Sequence, residues 1–175
     1  MASDFVAAEC GIRRLHARYA DAVWRKDVEA FGQCFAEEAE WRVGGRVMRG
    51  REDCMRFIAG AFPIYERILM TFRTPIVALS GKGEALGRTY VTENSRFADG
   101  RPFSPVGIYF ERFVEEGVTW RFKWRLFQTQ YSGGPMFDEP FFDLPDYGPP
   151  PGMPPVDELT IDRSGTGAQA GGATE

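Results

Sequence analysis

The apolar residues in the first third of the chain recur at three- and four-residue steps, which is the spacing of one helix face. This spacing predicts an amphipathic helix over about residues 4–25, whose buried face carries Ile12, Leu15, Tyr19, Ala22 and Val23. The same pattern predicts a short helix at residues 28–35 and another at about residues 51–61. Between them, residues 41–48 have a diglycine flanked by β-forming residues, which is typical of a small hairpin.

The pattern changes from about Ile68 onward, where Thr, Val, Tyr, Phe and Trp dominate and turn residues recur at intervals. It predicts four long strands, at residues 69–79, 85–97, 103–114 and 118–131. Helices followed by an antiparallel meander indicate an α+β fold, in which one curved sheet wraps around the N-terminal helices. The concave face of such a sheet forms a pocket.

Composition divides the chain into three parts. Residues 1–131 form the predicted α+β domain, whereas residues 132–175 contain eight of the 12 prolines and eight of the 20 glycines. The aromatic residues of 132–163 favour a C-terminal extension that packs on the domain, where it could cover the pocket, or on a neighbouring subunit. Residues 164–175 read as a disordered tail.

Charge and termini exclude several classes of protein. The net charge of −4 is spread without blocks of like charge, so neither a nucleic-acid binder nor a polybasic membrane anchor is expected. The chain has no run of about 18 apolar residues and no signal-peptide pattern at its N-terminus, so we expect a cytoplasmic protein.

The cysteines and the single histidine limit the available chemistry. Cys10, Cys34 and Cys54 are odd in number and widely spaced, which suits neither a disulfide framework nor a zinc ribbon. His16 is the only histidine, so one subunit cannot build a histidine-rich metal centre, and we expect it at the surface or at a subunit contact. The sequence also has no Gly-rich phosphate loop, and we expect no metal or organic cofactor.

Several short strings carry a family resemblance, namely Arg18-Tyr-Ala-Asp-Ala-Val, Phe35-Ala-Glu-Glu-Ala-Glu-Trp, Gly45-Arg-Val-Met-Arg-Gly-Arg and Gly117-Val-Thr-Trp-Arg-Phe. With the order of elements, they make residues 5–131 resemble the SnoaL-like branch of the nuclear transport factor 2-like superfamily. The resemblance implies a conical α+β barrel with a deep apolar pocket, assembled as a homodimer or higher homo-oligomer through the outer sheet face. Relatives include scytalone dehydratase, polyketide cyclases, ketosteroid isomerase, formaldehyde-releasing lyases of lignin-derived diaryl compounds, and non-catalytic subunits, so the fold alone does not choose a reaction.

The chain departs from the dehydratase-like members of this superfamily. The resemblance implies an acid near the end of the first helix and a pocket histidine five residues before a strand-opening proline. Aligned on Tyr19 and Pro75, the chain has Trp24 in place of the acid, Met70 in place of that histidine, and Ser95 in place of a second one. Dehydration that depends on imidazole is therefore not available, and any activity must use other groups.

Strand alternation gives the candidate catalytic groups on the pocket face. Glu93 is the candidate proton shuttle, because a carboxyl group in an aromatic pocket has a raised pKa. Arg125, Tyr19 and Tyr109 are candidates for stabilising negative charge on a substrate oxygen. The alternatives are that Glu93 only forms an ion pair with Arg125 or Arg73, that Arg125 faces outward, and that the two tyrosines are ordinary core.

A further set of side chains is predicted to bind a flat aromatic ligand by stacking and shape, with ordinary core packing as the alternative. These candidates are Trp24, Trp41, Phe57, Met70, Phe72, Thr89, Ser95, Phe127 and Thr129.

The leading hypothesis is a cofactor-independent lyase that removes water or formaldehyde from a phenolic or lignin-derived diaryl substrate, as in the catabolism of aromatic compounds. Two alternatives stay open. One is a non-catalytic binding or assembly subunit, which the missing acid–histidine pair favours. The other is a polyketide or steroid cyclase or isomerase, in which a carboxylate moves a proton between carbons.

Overall fold

The computed structural model describes residues 2–141 and contains three α-helices and eight strands in that range. The helices are α1 (Ala2–Arg25), α2 (Val28–Gly32) and α3 (Arg51–Ala61), and a 3₁₀ turn, Phe62–Ile64, follows α3. The strands are β1 (Phe35–Val43), β2 (Arg46–Arg49), β3 (Tyr65–Phe72), β4 (Ile76–Gly81), β5 (Glu84–Phe97), β6 (Pro102–Phe103), β7 (Val106–Glu116) and β8 (Thr119–Tyr131).

All eight strands belong to one curled sheet with the order β2-β1-β8-β7-β5-β3, while β4 and β6 also pair with β5. The β1–β8 pair is parallel and the other pairs are antiparallel. The sheet forms a half-barrel around the N-terminal helices, which confirms the predicted α+β fold.

Helix α1 fills the concave side of the sheet. Its five predicted core residues are buried, and the residues with no exposed surface include Ile12, Leu15 and Ala22. A second apolar cluster lies on the opposite face of the sheet, formed by residues that alternate with the inward-facing ones: Ile108, Phe110, Trp124 and Leu126. The sheet is therefore apolar on both faces.

Two predicted element boundaries were wrong. The strand predicted at 69–79 is two strands, β3 and β4, interrupted around Pro75. They pair with different halves of the long strand β5, so the break lets both lie along one partner. The helix predicted at 28–35 ends at Gly32, and β1 begins at Phe35. Gly32 packs against the Met55 side chain, where a larger residue would collide.

Beyond β8, the described part of the extension packs on the end of that strand. The Tyr131 ring contacts the rings of Phe137 and Phe141 at centroid distances of 5.1 and 4.9 Å. Its hydroxyl donates to the Gly134 carbonyl at 2.9 Å. The remainder of the predicted extension, through residue 163, and the predicted tail at 164–175 lie outside the described residues.

Candidate functional site

A cavity of about 500 Å³ opens between the helices and the concave face of the sheet. Its wall is mostly apolar and includes Val23, Trp41, Phe57, Ile58, Ile68, Met70, Val91, Phe103 and Phe127. Few polar side chains interrupt this wall: the carboxyl of Glu93, the phenols of Tyr19, Tyr65 and Tyr109, and the guanidinium groups of Arg46 and Arg56. A cavity of this size and composition can hold a small aromatic molecule.

Glu93 projects from β5 into this cavity, opposite Met70 on β3. Ser95, two residues along the same strand face, donates a hydrogen bond to the Glu93 carboxylate. Burial removes hydration from the charged form and raises the pKa of Glu93 to about 7, although the Ser95 hydrogen bond opposes the rise. A carboxyl group with this pKa exchanges its proton readily near neutral pH.

A second carboxyl group, Glu111, lies on the same inner face of the sheet but is fully buried. Its Oε1 accepts a hydrogen bond from Arg125 Nε at 2.9 Å, and its Oε2 accepts hydrogen bonds from His16 Nε2 and Thr89 Oγ1, each at 2.9 Å. Burial acts to raise the pKa of Glu111, but the charges of His16 and Arg125 and these hydrogen bonds outweigh it and lower the pKa. We call these four residues the buried charge cluster.

The guanidinium of Arg125 lies among aromatic rings. Its carbon is 3.7 Å from the ring centroid of Tyr109, 3.9 Å from that of Phe122 and 4.4 Å from that of Tyr19. Its two Nη atoms are buried and have no hydrogen-bond partner among the described residues. Cation–π contacts therefore replace hydrogen bonds on this side of the guanidinium, and Arg125 does not reach the cavity surface.

Tyr19 and Tyr109 connect the cluster to the cavity, because both rings contact Arg125 and both line the cavity wall. Burial raises the pKa of both phenols, and the nearby Arg125 charge opposes the rise. Both are neutral hydrogen-bond donors at neutral pH.

The cavity brings together seven of the residues singled out in the sequence: Tyr19, Trp41, Phe57, Met70, Glu93, Tyr109 and Phe127. Ser95 acts on the cavity only through Glu93. Three others lie behind the wall. Thr89 and Arg125 belong to the buried charge cluster, and the ring of Phe72 lies 5.0 Å from that of His16. Thr129 is buried on β8 and is not among the lining residues.

Trp24 does not line the cavity and is 49% exposed, so its prediction as a ligand-binding residue was wrong. The buried stripe of α1 runs through Tyr19 and Val23, and the next residue points away from that stripe. The Trp24 ring instead lies 5.9 Å from the guanidinium of Arg67 on β3.

Two predictions about charged partners were also wrong. Neither Arg125 nor Arg73 pairs with Glu93, because Arg125 is occupied by Glu111. His16 is 3% exposed and is not at the surface, since its ring nitrogens satisfy Ile12 and Glu111 inside the domain. The cation predicted for the Glu93 carboxyl therefore belongs to the other buried glutamate.

Sequence reasoning missed Glu111 and His16 as a pair. Strand alternation places Glu111 on the inner face, but its partner depends on the register of the β7–β8 hairpin. Pairs such as Phe113–Phe122 are followed by a bulge, after which Arg112 faces Trp124 and Glu111 faces Arg125. Without this bulge the pairing would continue as Arg112–Lys123 and Glu111–Trp124, and Arg125 would lie on the opposite face of the sheet from Glu111. The sequence carries no clear signal for this bulge.

Within residues 2–141, no group of three or more His, Cys, Asp and Glu side chains is arranged to hold a metal ion. In the same range, no helix is both long enough and apolar enough to cross a bilayer.

Comparison with known proteins identifies the family. The model of the SnoaL-like domain matches residues 5–125, so the chain belongs to the SnoaL-like domain family. This result confirms the resemblance and the nuclear transport factor 2-like fold. No curated protein matches the chain significantly.

Solved structures share this fold at low sequence identity. A provisionally assigned scytalone dehydratase from Novosphingobium aromaticivorans is 19% identical with a TM-score of 0.72, over 76% of this chain and 91% of that one. A type 2 hexachlorocyclohexane dehydrochlorinase, LinA, is 14% identical with a TM-score of 0.70, over 86% and 99%. Aln2 from a Streptomyces species is 20% identical with a TM-score of 0.62, over 69% and 88%. At these identities the likeness shows the fold alone.

Proposed function

We propose that this protein is a cofactor-independent lyase that eliminates a small neutral fragment, formaldehyde or water, from a phenolic or diaryl small molecule. The observation that carries the proposal is the Glu93 carboxyl, with a pKa of about 7, in a cavity of about 500 Å³ walled by aromatic and aliphatic side chains. A general acid–base group works best when its pKa is close to the working pH.

The reaction uses the carboxyl twice. Ionised Glu93 accepts a proton from substrate carbon, the C–H electron pair forms a double bond, and the C–O bond to the leaving group breaks. Protonated Glu93 then returns the proton to the leaving oxygen, and water departs.

Loss of formaldehyde uses the same group. Glu93 accepts the proton of the substrate hydroxymethyl O–H, a C=O bond forms as the C–C bond breaks, and the proton returns to the carbon that formaldehyde leaves. The phenols of Tyr19 and Tyr109 donate hydrogen bonds to the oxygen that becomes negative.

Trp41, Phe57 and Phe127 contribute aromatic rings to the cavity wall, against which an aromatic substrate can pack. Phe127 has room because the cross-strand neighbourhood contains Gly107, where a Cβ would lie only 2.5 Å from the Phe127 ring. Two of the structural neighbours are named for elimination reactions, as a dehydratase and a dehydrochlorinase, and these names support an elimination as the reaction proposed for this chain.

The proposal is tested by assaying a panel of diarylpropane and phenolic substrates with mass-resolved product analysis. We expect loss of 30 or 18 mass units with the wild type, and a Glu93→Gln rate lower by about 10²- to 10⁴-fold, because the amide cannot shuttle a proton. The matched control is Glu84→Gln, an exposed carboxylate on the same strand, for which we expect an unchanged rate.

Equal rates for wild type and Glu93→Gln would overturn the role of Glu93. Products of unchanged mass would replace elimination with isomerisation or cyclisation. Binding of aromatic ligands without turnover of any panel member would favour the non-catalytic binding or assembly subunit.

A further inference from the structure

The hydrogen bonds of His16 determine its protonation. Nδ1 lies 3.1 Å from the Ile12 carbonyl oxygen, and Nε2 lies 2.9 Å from Glu111 Oε2. A carbonyl oxygen and a carboxylate oxygen can only accept, so both ring nitrogens must donate. Either neutral tautomer would direct a nitrogen lone pair at an oxygen lone pair. His16 is therefore an imidazolium cation.

The buried charge cluster then has unequal charges. His16 and Arg125 are two cations, Glu111 is one anion, and Thr89 is neutral, so the cluster carries a net charge of +1. The side chains of Glu111 and Arg125 are fully buried and that of His16 is 4% exposed. The rings of Phe72, Phe113 and Phe122 also pack against His16, and none of them carries a charge. No other charged side chain is paired with the cluster within residues 2–141.

A buried excess charge is costly, and its field acts over a longer distance than in water. Here Arg125 brings that charge against the rings of Tyr109 and Tyr19, which are themselves part of the cavity wall. The two phenol hydroxyls are the donors nearest to this charge that a ligand can meet. A negative oxygen hydrogen-bonded to them would be stabilised both by the hydrogen bonds and by the cluster behind them.

We propose that Tyr19, Tyr109 and the buried charge cluster form an oxyanion subsite, which binds phenolic ligands as phenolates, with His16 as the residue that supplies the excess charge. This inference rests on the proposed function, which supplies the substrate class: a phenol, whose hydroxyl oxygen becomes negative in the subsite. His16 does not touch the ligand and acts as a positioning and charge-setting residue.

The ionisation of bound 4-nitrophenol tests the subsite, since its phenolate absorbs in the visible and its phenol does not. The titration is done in Glu93→Gln protein, so that the other cavity carboxyl contributes no charge. We expect the pKa of 4-nitrophenol to be lower when bound than in water, and His16→Gln to raise the bound value by about 1, because one nearby positive charge is lost.

Thr89→Val is the matched control, because it removes a hydrogen bond from the same carboxylate without changing the charge. We expect it to shift the pKa of bound 4-nitrophenol by less than about a third of the His16→Gln effect. Equal shifts in the two variants would mean that His16 acts by packing alone and would overturn the proposal. A bound pKa equal to that in water, or no binding of 4-nitrophenol, would also overturn it.

The protonation itself is read from ¹⁵N chemical shifts, and the single histidine gives an unambiguous signal. We expect both ring nitrogens to carry protons at pH 7, and one unprotonated nitrogen would overturn the charge assignment. Neither measurement needs turnover. If the pKa of bound 4-nitrophenol is lowered but no lyase activity is found, the proposed function is refuted and the oxyanion subsite is still supported.

Discussion

Glu93 and Glu111 lie on neighbouring strands of one sheet and face the same interior, yet they have opposite electrostatic environments. Glu111 accepts hydrogen bonds from an arginine, a histidine and a threonine, and its pKa is lowered. Glu93 accepts one hydrogen bond from a serine, has no ion pair with a described residue, and its pKa is raised to about 7.

The comparison shows that donors, and not depth in the protein, decide the charge of a buried carboxyl. Both groups lose hydration, which alone raises the pKa of each. At Glu111, two cations reverse the direction. At Glu93, one neutral hydroxyl is too weak to do so. The same residue type is thus a permanent anion in one place and an exchangeable acid in the other.

The largest effect is expected when the two glutamates are given the same substitution. Glu111→Leu leaves His16 and Arg125 buried without their anion, and we expect it to lower the free energy of unfolding by about 3–5 kcal/mol. Glu93→Leu removes a carboxyl that has no ion pair with any described residue, so we expect a change within about 1 kcal/mol at pH 7. Urea denaturation of both variants gives the comparison. Equal decreases in the free energy of unfolding would show that Glu93 and Glu111 do not differ in their charged partners.

The next effect is a pH dependence of stability that belongs to Glu93. Its pKa rises from 4.5 to about 7 on folding, so the folded state holds a proton that the unfolded chain releases between these values. The stabilising contribution is therefore complete below pH 4.5 and is lost as the pH rises to 7.

Relative to Glu93→Gln, we expect the wild type to lose about 2 kcal/mol of unfolding free energy between pH 5 and pH 8. Glu84→Gln, on the same strand but exposed, should keep the wild-type dependence. The measurement is urea denaturation at several pH values. If the free energy of unfolding of Glu93→Gln depends on pH in the same way as that of the wild type, the Glu93 carboxyl is exposed to water and its pKa is not raised.

Much of this arrangement was predictable from the sequence, because it follows from periodicity. The three- and four-residue spacing located α1 and its buried face, and strand alternation placed Tyr109 and Glu93 inward. A carboxyl at an inward position of an aromatic strand pair is visible in the residue pattern alone. Its position depends on one strand, and no cross-strand register is needed to find it.

The pairing of charges was not predictable in the same way. Arg125 could serve either glutamate as far as alternation shows, and the choice depends on the bulge at Lys123 that brings it opposite Glu111. His16 reaches Glu111 from α1, 95 residues earlier in the chain. Such a contact depends on how the helix sits on the sheet, which a single sequence does not encode in local spacing.

The smallest effect concerns the hydroxyl of Ser95, which donates a hydrogen bond to the Glu93 carboxylate. The Ser95 hydroxyl stabilises the ionised carboxylate, so Ser95→Ala should raise the pKa of Glu93 further, by about 1. If ionised Glu93 is the base, the rising limb of the pH–rate profile moves to higher pH by the same amount. Ser104→Ala, which removes another buried hydroxyl that binds Asn94 instead, should leave the limb in place. If both variants move the rising limb of the pH–rate profile equally, general loosening of the strands is the cause. A shift confined to Ser95→Ala shows that a single hydroxyl adjusts the pKa of Glu93. Further hydrogen-bond donors would then be expected to lower this pKa towards the behaviour of Glu111.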